Sequence, residues 1–128
     1  MKIVLSCLAA LLFITAQAQT DSASKVAKFK SVTYSFGKIK QHVPATTEFS
    51  FTNIGTKPLI IETAVAECGC TTPDYPKAPL AKDKTASIKV TYNAENPGKF
   101  TKRVTVKFAN IAQPVILTIE GDVEPAKS

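Results

Sequence analysis

Two cysteines one residue apart, in Cys68-Gly69-Cys70, are the sharpest chemical feature of this 128-residue chain. Residues two apart on an extended segment point to one side, so both sulfurs are expected on one face. Gly69 gives the backbone access to a positive φ or a tight bend. A short disulfide needs that freedom to bring its Cα atoms to about 5.5 Å. Three chemistries fit the pair. A local disulfide would stiffen the loop yet stabilise little, because loop-closure entropy shrinks with loop length and closure over one residue is strained. Strain eases reduction, which makes the pair a candidate thiol–disulfide exchange centre. A reactive thiol also wants a cation or a helix N-terminus nearby. Glu67 and Asp74 oppose that in sequence, and no lysine is adjacent. Two thiolates on one face also suit Cu(I). A structural zinc site takes four ligands, and the chain offers this pair and one distant histidine, His42. No cofactor is therefore expected, and metal binding at Cys68 and Cys70 is kept as the alternative. An interface role remains, with Glu67, Gly69, Thr71 and Thr72 as candidate contact residues.

No catalytic residue is expected elsewhere. His42 stands beside Val43-Pro44 between two strand patterns and reads as a surface residue. No serine occupies a Gly-x-Ser-x-Gly elbow. Asp74, Asp83, Glu95 and Asp122 are dispersed, with neither calcium-loop spacing nor an evident carboxylate pair. The five glycines are separated, so no phosphate loop is present.

The elements that position the pair begin with what precedes them. Lys2, the apolar run Ile3–Ile14 and the small-x-small box Ala16-Gln17-Ala18 read as a secretory signal over residues 1–18. The run is shorter than the roughly 20 residues of a spanning helix. Stable membrane insertion is therefore not expected after cleavage. Cys7 lies inside the apolar run, too early for a lipidated cysteine, and leaves with the signal. Cys68 and Cys70 then remain as an even pair in an oxidising compartment, where thiols tend to join. The expected location is periplasmic or secreted.

Removing Lys2 leaves 15 basic against 10 acidic residues, a net charge of +5. The lysines are scattered, and Arg103 is the single arginine. Nucleic-acid binders concentrate arginine and lysine in a stripe, so nucleic acid is not an expected partner. An envelope protein or glycan is.

Residues 19–27 are polar and read as a flexible N-terminal lead, 28–123 as one domain, and 124–128 as a polar tail. Inside the domain the period is two. Lys28–Tyr34 is a candidate first strand, with Phe29 and Val32 or Tyr34 inward. Thr47–Thr52 alternates cleanly, and Asn53-Ile54-Gly55-Thr56 then turns the chain ahead of Pro58. Leu59–Val65 is apolar and β-branched, as in a central strand. Lys84–Tyr92 places Ala86, Ile88, Val90 and Tyr92 on one face. Phe100–Phe108 turns Val104, Val106 and Phe108 inward. Val115, Leu117, Ile119, Gly121 and Val123 make the last set. Pro73, Pro76 and Pro79 are expected to keep Thr72–Leu80 irregular, so Glu67–Leu80 reads as an exposed contact loop. The fold expected is an all-β, immunoglobulin-like β-sandwich of about seven antiparallel strands. The chain lacks tryptophan, and the Cys–Trp–Cys pattern of true immunoglobulin domains is absent.

Several blocks recur in a known pattern. They are Phe36-Gly37-Lys38-Ile39; Phe49-x-Phe51-Thr52-Asn53-x-Gly55-x-x-Pro58-Leu59-x-Ile61; and Cys68-Gly69-Cys70-Thr71. Ile88-x-Val90-x-Tyr92, Gly98-x-Phe100-x-Lys102 and Ile119-x-Gly121-x-Val123 continue it. Over Phe36–Val123 the chain resembles the DUF1573 family of exported bacterial proteins, which the resemblance places among Bacteroidota. The resemblance implies an immunoglobulin-like module similar to the ASH and major-sperm-protein group, which mediates protein contacts, with no enzymatic activity established for the family. One departure is Ala81-Lys82-Asp83, where the family often has a Pro-Gly turn. Lys82-Asp83 is expected to turn in its place.

Overall fold

Period-two alternation becomes a strand wherever turn residues bound it. A computed structural model describes residues 22–127, so the expected signal at 1–18 lies outside the described residues. Ala23–Lys25 form one 3-10 turn. The strands β1 (Ala27–Phe29), β2 (Thr33–Lys40), β3 (Ala45–Asn53), β4 (Ile61–Ala66), β5 (Thr71–Asp74), β6 (Thr85–Tyr92), β7 (Gly98–Phe108) and β8 (Val115–Glu124) follow. They form two four-stranded sheets, ordered β1-β3-β6-β5 and β2-β8-β7-β4. The fold is the expected all-β sandwich, with eight strands rather than seven among the described residues. One pairing is parallel, β2 beside β8.

The extra strand arises where one strand was expected over Lys28–Tyr34. Ser31 breaks that run: its hydroxyl donates to the Thr33 carbonyl and accepts from the Thr33 N–H. Such local side-chain bonds compete with a ladder. β1 therefore ends in one sheet, and β2 begins in the other. Val32 and Tyr34, expected inward, are 43% and 45% exposed. The lead was expected to be flexible through residue 27, yet Ala23 and Ala27 are buried and the Val26 carbonyl accepts the Ile54 N–H. At the other terminus, the Gln41 side-chain carbonyl accepts the Ala126 N–H.

The core lies between the sheets, and the alternating sets supply it. Ile88, Val90 and Tyr92 of β6 face Val104, Val106 and Phe108 of β7 and Leu117, Ile119 and Val123 of β8, all buried. Phe51 meets Phe108 edge to face at 5.7 Å between centroids, a geometry that aromatic quadrupoles favour.

Two expectations about strands need correction. β4 is an edge strand rather than a central one, because among the described residues it pairs only with β7. Its Val65 is 59% exposed. Pro73 lies within β5, although proline was expected to exclude regular structure there. Register explains this. The Asn93 N–H donates to the Cys70 carbonyl, so in the β5–β6 ladder residues 72 and 74 take hydrogen-bonded positions. Pro73, opposite Val90, falls between them with its missing N–H toward the open edge, the one place in a sheet that tolerates proline. The Lys82-Asp83 turn forms as expected. The Lys84 N–H donates to the Ala81 carbonyl, and Asp83 takes a φ of 65°, a conformation that aspartate tolerates better than most residues.

Candidate functional site

β4 and β5 end their respective sheets on the same side of the sandwich, and Glu67–Cys70 carries the chain across from one to the other. Each side of this crossing is tied to a sheet. The Glu67 N–H donates to the Arg103 carbonyl at 3.1 Å, and the Arg103 N–H donates to Glu67 Oε1 at 2.9 Å. On the far side, the Asn93 N–H holds the Cys70 carbonyl at 2.9 Å. The Thr71 N–H reaches the Cys68 carbonyl at 3.4 Å and closes the turn.

Cys68 and Cys70 are joined by a disulfide, with Cα atoms 5.3 Å apart. That separation lies within the usual range. The sulfurs share one side as expected, through a turn rather than an extended strand. Gly69 lies within this tight turn, one of the two conformations expected of it. Its φ is not positive, and a Cβ placed on it would meet nothing within 4 Å. Gly69→Ala is therefore expected to leave stability within about 0.5 kcal/mol of the parent chain, as for surface substitutions without a named mechanism. Thermal melts of the two proteins would check this.

The candidate contact residues separate. Glu67, Gly69 and Thr72 are exposed. Thr71, expected among them, is only 4% exposed and cannot serve as an outer contact. It lies opposite Tyr92 in the ladder, and its Oγ1 is 3.7 Å from each of the two sulfurs. Sequence reasoning missed this role. The signal was the residue following the second cysteine in the Cys-Gly-Cys-Thr block.

Neighbouring loops finish this end of the sandwich. His42, at a φ of 67°, brings Nδ1 to 3.0 Å from Glu95 Oε2, with both side chains more than half exposed. An exposed pair of this kind contributes little. Beneath the loops, Tyr92 stacks on Phe100 at 3.9 Å, and burial pushes the Tyr92 phenol up, so it stays protonated at neutral pH. Further along the Glu67–Leu80 segment, Lys77 Nζ sits 3.4 Å above the Tyr75 ring.

The Cu(I) alternative is corrected by the disulfide, since sulfurs bonded to each other offer no thiolate pair. Among the described residues, no group of three or more His, Cys, Asp or Glu side chains is placed to hold a metal.

The two facing sheets define the class: an immunoglobulin-like β-sandwich. Within that class the chain belongs to the family described as "Protein of unknown function (DUF1573)", whose model matches residues 27–123. A search of curated proteins finds no match in sequence. Among solved structures, a protein of unknown function from Porphyromonas gingivalis is similar with a TM-score of 0.66 and 11% identity, over 76% of this chain and 46% of that one. The Vibrio cholerae VesB protease is similar with a TM-score of 0.62 and 13% identity, over 77% of this chain and 32% of that one. A human ASH/PapD-like domain, the seventh of CEP192, gives 0.63 and 9% identity, over 80% of this chain and 88% of that domain. The chain thus spans less than half of the first two. Likeness at such identities concerns the fold alone.

Proposed function

We propose that this chain is a non-catalytic, exported binding or scaffolding module of the bacterial cell envelope, periplasmic or secreted. It contacts an envelope protein or glycan through the Glu67–Leu80 segment. The observation that carries this reading is that the crossing turn is exposed at Gly69 yet held to both sheets by the Glu67, Arg103 and Asn93 backbone bonds. A rigid, protruding turn loses little entropy when a partner docks. The module-like size and PapD-like architecture fit the same reading, since the related modules mediate contacts.

The mode of contact follows from β5. Strand addition needs a row of free N–H and C=O groups along an edge. Pro73 interrupts that row on the open side of β5, a known way of blunting an edge. Recognition therefore uses the turn and the outward side chains, such as Thr72, rather than a continued sheet.

Photo-crosslinking tests the surface. A photoreactive residue at position 69 or 72 is expected to give a discrete adduct in envelope extract, competed by unlabelled protein. The same residue at Thr85, exposed at the opposite end of β6 from the turn, is expected to give none. Equal labelling from all three positions, or adducts from Thr85 alone, contradicts the assigned surface.

A further inference from the structure

The Thr71 hydroxyl is buried, and among the described residues its hydrogen-bond partners are the two sulfurs alone. Sulfurs in a disulfide carry no hydrogen, so the hydroxyl is the donor, and it is spent on weak acceptors. A thiolate is a far stronger acceptor, because hydrogen bonds to charged groups exceed neutral ones. The hydroxyl is thus matched to the reduced pair better than to the oxidised one.

The bond also adds little as a staple. Chain-entropy reasoning gives closure of three residues only about half the effect of closing a 15-residue loop. The two sulfurs are differently placed. Cys70 packs against the core, and its carbonyl is fixed by the Asn93 N–H. Cys68 sits on the turn, half-buried and outside that packing.

We propose that Cys68–Cys70 is an exchangeable disulfide, in which an incoming thiolate attacks Cys68 Sγ and Cys70 leaves as a thiolate held by the Thr71 hydroxyl. This goes beyond the contact role and does not depend on it. The co-reactant is a dithiol, of a partner protein or a small molecule. Its first thiolate forms a bond to Cys68 Sγ as the Cys68–Cys70 bond breaks, and that electron pair goes to Cys70 Sγ. The second thiolate of the dithiol then attacks its own sulfur in the mixed disulfide and expels Cys68. Two electrons pass to the pair, both cysteines take protons from solvent, and the dithiol is oxidised to a disulfide. Thr71 touches the leaving sulfur and acts there. The exposed Glu67 carboxylate accepts the Arg103 N–H, which partly offsets its repulsion of an anionic attacker.

The test uses the oxidised mature protein with reduced glutathione as a monothiol probe and dithiothreitol as a dithiol probe. Acid-quenched intact mass and peptide mapping follow the species. Dithiothreitol is expected to reduce the folded wild type, and glutathione to form a mixed disulfide that maps to Cys68. Thr71→Val, which keeps the shape without the hydroxyl, is expected to slow reduction about tenfold, the effect of one hydrogen bond to a charged group. Thr71→Ser is expected to restore most of the rate. Reduction of Thr71→Val at the wild-type rate, a mixed disulfide on Cys70, or a folded wild type inert to both probes overturns the proposal. If Thr71→Val does not fold, the reduced wild type decides. Cys70 should then alkylate with a pH midpoint below that of Cys68, and a midpoint at or above it overturns the assignment.

Discussion

Replacing Asn53 with aspartate is expected to cost about 4–5 kcal/mol, near the upper end for a single substitution. Asn53 is fully buried at the end of β3. Its Nδ2 donates to the Lys57 carbonyl at 2.8 Å and to the Leu80 carbonyl at 2.9 Å, and its Oδ1 accepts the Gly55 N–H at 2.9 Å. One side chain thereby fixes the turn after β3 and the approach to β6. Aspartate keeps the acceptor but turns a second oxygen toward two carbonyls, in a place that cannot hydrate it. Asn53→Ala is expected to cost less, about 2–4 kcal/mol. It strands the Lys57 carbonyl and the Gly55 N–H, while the Leu80 carbonyl keeps its bond from the Leu59 N–H. Urea denaturation of the three proteins checks both the sizes and the order. Alanine less stable than aspartate would contradict the donor assignment at Nδ2.

Gly121→Ala is the second large effect, about 2–3 kcal/mol, in the range of core overpacking. A Cβ at Gly121 would stand 2.8 Å from Cε1 and Cζ of Phe100 and 3.1 Å from the Gly37 carbonyl oxygen. The Phe100 ring cannot move away freely, because it is stacked on Tyr92. Since Tyr92 lies opposite Thr71, the strain passes toward the disulfide end. At about 4–8 °C per kcal/mol for a domain of this size, calorimetry should show a clear drop in Tm. Pairing Gly121→Ala with Phe100→Leu should recover part of it, because leucine removes the ring edge that the methyl meets. An additive double variant would place the clash elsewhere.

Strands that bury one face were legible from sequence. β3, β6, β7 and β8 each set a row of apolar side chains against the other sheet, so their alternation reports the core directly. β2 was legible only as a motif resemblance. It is an edge strand with Phe36 and Ile39 partly buried and its other residues exposed, so burial imposes no clean period on it. It also shifts register near Gly37, at a φ of 67°. β4 looked central because its run is apolar, but edge position depends on which strands the chain has left to pair with. β5 was hidden by Pro73, whose tolerance depends on the half of the ladder it falls in. The cysteine pair was legible as a pair with sulfurs on one side. That Thr71 points inward and lies under both sulfurs was not legible, because it follows from the register with Tyr92 in a strand that the prolines had masked.

The Cys68–Cys70 bond is chemistry placed on a fold that stands without it. The direct measurement is thermal unfolding of the folded protein before and after reduction, with intact mass taken on the same samples. The untreated protein is expected to be two hydrogens lighter than the dithiol form. The reduced protein is expected still to unfold cooperatively, with a loss of no more than about 1.6 kcal/mol. A pair found free in the folded protein, or a fold that collapses on reduction, would contradict this.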